Sequence, residues 1–154
     1  MDRLLAVIAA AEAPHGYDAI HYSASQLPKK TPTAMTLREI ERWVKATPGQ
    51  HHAIGRYQII PPTFASLKRK LRLSDGTRFD EQTQDLMGRY LLAEAGYSDF
   101  TSGKINRDAF MDNLAQIWAG LPLGSGRSAY HKYAGNKATI TRKQFRTAMI
   151  KIFG

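Results

Sequence analysis

The sequence predicts an α+β fold that is mostly helical, arranged as one domain over residues 1–154 with a small β-hairpin lobe at about residues 16–35. Apolar residues recur with helical spacing in most of the chain. Capping residues and Pro or Gly stop signals bound these segments, and β-prone residues cluster around Ile20 and Tyr22. A chain of 154 residues can bury a core of its own. Long helices with one β excursion indicate the α+β class.

The predicted helices follow from local signals in the sequence. The first runs from about Asp2 to Ala13 and is stopped by Pro14. Thr36 and Glu39 form a capping box for the second. The other helices are expected from Pro61, from Asp80 to a stop at Gly96, over residues 107–122, and after a cap at Thr141.

The N-terminal apolar run is too short to cross a membrane. "LLAVIAAA" has eight residues, whereas a bilayer needs about 20. The run could be the core of a signal peptide, but its periodic stripe and the Glu-Ala-Pro stop favour an amphipathic first helix. We therefore expect no membrane partner and no signal peptide. The absence of cysteine excludes disulfides without indicating a compartment.

The net charge of +9 predicts attraction to polyanions such as nucleic acid, anionic lipid or an acidic cell-wall polymer. The basic clusters at residues 68–72 and 141–146 do not alternate with aromatic residues as a groove for single-stranded nucleic acid would. We therefore expect no nucleic-acid partner, although a non-enzymatic basic module that binds the cell wall or nucleic acid remains an alternative.

Glu12 is the first candidate functional residue. It continues the apolar stripe of Leu5 and Ile8 and falls in the last turn of the first helix. The helix dipole and partial burial both disfavour a carboxylate there, so the pKa of Glu12 should rise. A proton-donating carboxyl would then exist near neutral pH. The alternative is a solvent-facing glutamate at a helix end.

The loop "AIGRYQIIPPTF" is the second candidate. Gly55 permits a tight turn, after which Arg56, Tyr57 and Gln58 offer a charge, a ring and an amide. Sugars bind to hydrogen-bonding groups combined with an aromatic face. The alternative is a polar loop without a ligand.

Three blocks carry a family resemblance: "AAAEAPHGYDAI", "GRYQIIPPTF" and "IWAGLP", in this order. Together they resemble the lysozyme-like superfamily, and within it the phage lambda endolysin group of lytic transglycosylases and muramidase-like proteins. The resemblance implies a lysozyme-like fold, a peptidoglycan substrate and action in the periplasm or at the cell wall. It also implies that Glu12 is the catalytic carboxylate. Two positions depart from many transglycosylases, which have Ser in place of Ala13 and Met in place of Tyr57.

The predicted substrate-binding residues combine the loop with positions that the resemblance implies. Tyr57 and Gln58 are expected to line the glycan groove, and aromatic residues of the C-terminal part to support the site. The full set is Gln50, Arg56, Tyr57, Gln58, Trp118, Tyr130 and Tyr133.

Asp18 is a possible second carboxylate. Most glycosidases pair two carboxyl groups, and Asp18 is the acid nearest to Glu12 in sequence. As a nucleophile or base it would make the protein a hydrolytic muramidase. If Asp18 is only a turn residue, Glu12 can act alone with help from the substrate's N-acetyl group, giving a 1,6-anhydro product.

We expect no metal and no other cofactor. Five histidines are present, but no His-x-x-x-His pair lies on a predicted helix and there is no HExxH motif. The adjacent His51 and His52 are expected to be solvated. The protein is expected to be a monomer.

Overall fold

The computed structural model describes residues 1–131 and 137–154, and helices make up 53% of them. There are seven α-helices in the described residues: α1 (Asp2–Glu12), α2 (Leu37–Ala46), α3 (Pro61–Lys70), α4 (Glu81–Glu94), α5 (Tyr97–Thr101), α6 (Arg107–Ile117) and α7 (Arg142–Phe153). Two short 3-10 helices span Gly16–Asp18 and Pro32–Ala34. None of the helices in the described part of the chain has the length and apolar character to span a bilayer.

The capping residues lie where the sequence predicts them. Thr36 accepts a hydrogen bond from the Glu39 N–H while the Glu39 side chain accepts one from the Thr36 N–H, so the capping box of α2 is complete. Thr141 and Gln144 form the same arrangement at α7. The prediction of a mostly helical protein is confirmed.

The expected β-hairpin lobe is not confirmed. Within residues 16–35 the backbone forms the two 3-10 helices and turns, and 3% of the described residues take part in extended pairing. Ile20 forms a single bridge with Ile54, which pairs in turn with Ile59. The β-prone residue Ile20 therefore pairs with a distant part of the chain instead of a neighbour in a local hairpin.

Two compact units are formed, one by residues 1–12 and 88–154 and one by residues 13–87. In the first, α1 packs against α7 and α5 against α6. Its core includes Leu4, Leu5, Ile8, Phe110, Leu114, Phe145 and Met149, all at most 2% exposed. The rings of Phe100 and Phe110 are stacked, with centroids 4.7 Å apart.

The second unit has its own apolar centre. Leu37 and Ile40 of α2, Phe64 and Leu67 of α3, and Ile54, Ile59 and Phe79 are all buried. Backbone hydrogen bonds from Leu37 to Thr77 and from Phe79 to Met35 hold the segment before α4 against the start of α2. The local signals that predict α2 and α3 thus also predict which of their faces is buried.

Helix α6 ends earlier than the sequence predicts. Residues 107–122 are expected to be helical, but α6 stops at Ile117 and Trp118 is extended, with φ −115° and ψ 112°. A turn follows, closed by a hydrogen bond from the Leu121 N–H to the Trp118 carbonyl. This early end frees the backbone at Gly120 to make a different contact.

Candidate functional site

Glu12 is the last residue of α1 and is partly buried. The apolar side chains one and two turns before it, Ile8 and Leu5, are at most 2% exposed, so the predicted stripe is the buried face of the helix. Burial raises the pKa of Glu12 from 4.5 to about 7, against the opposing effect of a hydrogen bond from the Gly120 N–H. This rise in the pKa of Glu12 agrees with the direction expected from the sequence.

The contact with Gly120 holds one oxygen of the carboxyl group. The Gly120 N–H donates to Glu12 Oε1 across 2.6 Å. The glycine is needed for this close approach, because a Cβ at position 120 would lie 2.8 Å from both the Ala11 carbonyl oxygen and Glu12 Oε1. Glu12 is therefore a carboxyl group with one oxygen fixed by a backbone donor and a proton available near neutral pH.

The turn that carries Arg56, Tyr57 and Gln58 is built as the sequence predicts. Gly55 has φ +80°, and hydrogen bonds between Ile54 and Ile59 run in both directions across the turn. Gln58 also has a positive φ, 46°, and its side chain donates back to the Gly55 carbonyl across 3.0 Å. The side chain of Gln58 thus closes the turn that displays it.

Tyr57 does not offer its ring face to solvent in this structure. The residue is 1% exposed, and its hydroxyl donates to Asp85 Oδ1 across 2.6 Å. Burial and the hydrogen bond to Asp85 both raise the pKa of Tyr57, so the hydroxyl remains a donor. A role for Tyr57 in the glycan groove stays a prediction. Its contacts favour an indirect role, in which Tyr57 orients the neighbouring side chains.

Those neighbours form a polar cluster of four side chains: Tyr17, Arg56, Tyr57 and Asp85. Both tyrosine hydroxyls bond to the Asp85 carboxylate, and Arg56 Nη1 lies 3.0 Å from the Tyr17 hydroxyl and 3.2 Å from that of Tyr57. The Arg56 guanidinium also lies over the Tyr17 ring, 5.0 Å from its centroid. The cluster fixes Arg56 in one orientation while leaving about a quarter of its side chain exposed.

Gln84 fixes the backbone of the same turn. It is fully buried, its Oε1 accepts from the Arg56 N–H across 2.9 Å, and its Nε2 donates to the carbonyls of Tyr17 and Phe79. Sequence reasoning missed both Gln84 and Asp85, which lie inside α4 without a motif. Tyr17 lies within the "HGYD" block, which was the available signal for it.

The remaining predicted residues make local contacts. Gln50 accepts from the backbone of Ser25 and Gln26 and donates to the Gln26 carbonyl, so it holds a loop in place. Asp18 is exposed, and its Oδ1 accepts from the Thr33 N–H across 2.8 Å. This bond is the turn contact that the alternative interpretation of Asp18 predicts, and a catalytic part for Asp18 stays untested.

Two of the three aromatic candidates of the C-terminal part lie within the described residues. Trp118 is 2% exposed, and Tyr130 donates from its hydroxyl to the Gln116 carbonyl. Tyr133 lies outside the described residues. A substrate-binding role for any of them stays a prediction.

The two adjacent histidines differ in burial, since His51 is exposed and His52 is buried. His52, expected to be solvated, is 9% exposed and hydrogen bonded to the Thr47 hydroxyl at 2.8 Å. It is buried because its ring packs edge-on against Trp43. Within the described residues no group of three or more His, Asp or Glu is arranged to hold a metal ion.

A cavity of about 220 Å³ lies in the unit formed by residues 13–87. It contains none of the predicted sugar-binding residues. Most of its lining is apolar: Ile40, Val44, Ile54, Ile59, Pro61, Phe64 and Ala65, with Glu41, Lys45 and His52.

Comparison with known protein families places this helical protein in the class of enzymes that degrade the bacterial cell wall. The family model described as Endolysin matches residues 6–149, and the chain belongs to the Endolysin family. Endolysins are phage enzymes that act on the cell wall, which makes peptidoglycan the substrate. Neither a curated protein nor a solved structure matches the chain.

Proposed function

We propose that this endolysin is a lytic transglycosylase with a lysozyme-like fold, which cleaves the MurNAc–GlcNAc bond with Glu12 as the only catalytic carboxyl. The supporting observation is the raised pKa of the Glu12 carboxyl group. A carboxyl group with a pKa of about 7 is protonated in about half of the molecules at neutral pH, so one group can serve as acid and then as base.

The reaction uses the Glu12 carboxyl group twice, first as an acid and then as a base. Glu12 donates its proton to the glycosidic oxygen as the bond to C1 of MurNAc breaks, and the carbonyl oxygen of the substrate's N-acetyl group stabilises the positive charge at C1. The Glu12 carboxylate then takes the proton of the C6 hydroxyl, whose oxygen closes on C1. The products are a 1,6-anhydroMurNAc end and a free GlcNAc hydroxyl, and no water is consumed.

The cluster around Arg56 supports a role for the "GRYQ" turn in glycan binding. Arg56 and Gln58 are partly exposed, and both are held by hydrogen bonds before any ligand arrives. A side chain that is already oriented loses less entropy when it binds a ligand. In this proposal Arg56 and Gln58 contact the sugar, while Tyr57 orients Arg56.

Glu12→Gln is the direct test. The amide keeps the shape and an acceptor for the Gly120 N–H but carries no acidic proton, so cleavage of Gram-negative sacculi should fall by at least ~10²–10⁴. Glu94→Gln is a matched control, since Glu94 is also the last residue of its helix but is exposed. Circular dichroism should show both variants folded.

Mass spectrometry of the released muropeptides tests the reaction type. Anhydro products are one water lighter than hydrolytic products and should be formed by the parent protein. Hydrolytic products would replace the proposal with a muramidase mechanism, in which Asp18 becomes the candidate second carboxylate. A fully active Glu12→Gln protein would overturn the catalytic assignment of Glu12.

A further inference from the structure

Thr139 joins the two backbone segments that surround the Glu12 carboxyl group. Its N–H donates to the Gly120 carbonyl across 2.9 Å. Its hydroxyl oxygen lies 2.7 Å from the Ala11 carbonyl oxygen and 3.2 Å from that of Gly120. Since a hydroxyl has one proton, the shorter distance indicates that it donates chiefly to Ala11.

The Ala11 carbonyl is one of the last four of α1, which have no N–H donor within their own helix. The Thr139 hydroxyl supplies a donor one residue before Glu12. Thr139 therefore fixes the end of α1 and, through its own N–H, the turn that contains Gly120.

Little space is left for the two segments to shift. A Cβ at Gly120 would lie 2.8 Å from the Ala11 carbonyl oxygen, so the turn is already in close contact with the helix end. The 2.6 Å bond from the Gly120 N–H to Glu12 depends on this approach.

We propose that Thr139 is a positioning residue that holds the end of α1 and the Gly120 turn together, so that Glu12 is presented to the substrate in one orientation. The proposal rests on the proposed function of Glu12 as the proton donor. Thr139 itself donates no proton to the substrate.

Removal of the hydroxyl should therefore affect turnover more than substrate binding. Thr139→Val keeps the branched shape and the N–H but leaves the Ala11 carbonyl without its side-chain donor. A displacement of about 1 Å at a catalytic group can cost 10²-fold in rate. We expect a partial displacement, with kcat lowered roughly 10-fold and KM changed by less than about 2-fold.

The experiment compares Thr139→Val, Thr139→Ser and Thr141→Val in kinetics on soluble glycan strands. Serine restores the hydroxyl and should restore kcat. Thr141→Val is the matched control, because Thr141 lies two residues away and caps α7. Loss of the Thr141 cap should lower the melting temperature of this variant without changing its kcat. If Thr139→Val does not fold, its place is taken by Thr139→Ala, which removes the hydroxyl without putting a methyl group against the Ala11 carbonyl.

The pKa of Glu12, followed by ¹³C NMR, gives a readout that does not depend on activity. Burial and the Gly120 N–H have opposite effects on this pKa, so a loosened Gly120 bond should raise it above about 7 in Thr139→Val. An unchanged pKa together with unchanged kcat would overturn the positioning role, and so would an equal loss of kcat in Thr141→Val.

The two proposals fail in different ways. Activity retained in Glu12→Gln would refute the catalytic role of Glu12, whatever Thr139 does. If Glu12→Gln is inactive but Thr139→Val has the parent's kcat and the parent's Glu12 pKa, the function stands and the positioning role is refuted.

Discussion

Replacement of Glu12 by Gln should make the protein more stable at neutral pH although it removes the proposed acid. Below pH 4.5 the carboxyl group is protonated in both the folded and the unfolded chain. Between pH 4.5 and about 7 the unfolded chain loses this proton while the folded protein keeps it, so the free energy of unfolding falls as pH rises. At about 1.4 kcal/mol per pKa unit the full loss is about 3 kcal/mol.

Glutamine does not titrate, so Glu12→Gln escapes this loss. The melting temperature of the variant minus that of the parent should grow between pH 4 and pH 8. For a chain of this size, about 3 kcal/mol corresponds to roughly 6–12 °C. Thermal unfolding followed by circular dichroism at constant ionic strength measures the difference, and the other titrating groups cancel in it.

Glu39→Gln provides a control of opposite sign. The hydrogen bond from Lys30, with that from the Thr36 N–H, lowers the pKa of Glu39 to about 2. Its stabilising effect is present above pH 4.5 and is lost as pH falls toward 2. The difference between Glu39→Gln and the parent should therefore stay constant from about pH 5 to pH 8. A flat difference for Glu12→Gln over pH 4–8 would refute a buried carboxyl with a raised pKa.

Two further substitutions test the rest of the site. Asp18→Asn keeps an acceptor oxygen for the Thr33 N–H, so both the melting temperature and the rate of sacculus cleavage should stay close to the parent's. A loss of orders of magnitude in rate at unchanged stability would instead make Asp18 a nucleophile or base. Asp85→Asn places an amide against the hydroxyls of Tyr17 and Tyr57. The free energy of unfolding should fall by about 1–3 kcal/mol. Binding of chitooligosaccharides, measured by calorimetry, should weaken as well. Parent-like binding would show that the cluster around Asp85 does not orient a sugar-binding group.

Local signals in the sequence predicted the helices well because their causes are local. A capping box needs a hydroxyl and a carboxyl or amide three residues apart, and the box predicted at Thr36 forms; the cap predicted at Thr141 forms too, as a second box with Gln144. The position of Glu12 at the end of α1 follows in the same way from the apolar stripe and from Pro14. The raised pKa of Glu12 could be predicted in direction, since helix position and burial are both visible in the pattern.

The error at α6 shows where local signals fail. The apolar spacing continues through Trp118 and Leu121, and both residues are buried as expected of a core face. The backbone nevertheless leaves the helix after Ile117. Burial selects apolar residues in a turn as well as in a helix, so periodicity alone does not separate the two.

By itself, the sequence determined six of the seven described α-helices apart from the end of α6, the caps at Thr36 and Thr141, the tight turn at Gly55 and the placement of Glu12 on a buried helix face. Tertiary structure alone decided the partners: Gly120, 108 residues after Glu12, and Thr139, 128 residues after Ala11. It also decided that Tyr57 points to Asp85 instead of to solvent. The physical reason is that capping and periodicity act within a few residues, whereas a hydrogen bond between distant segments exists only after packing has brought them together.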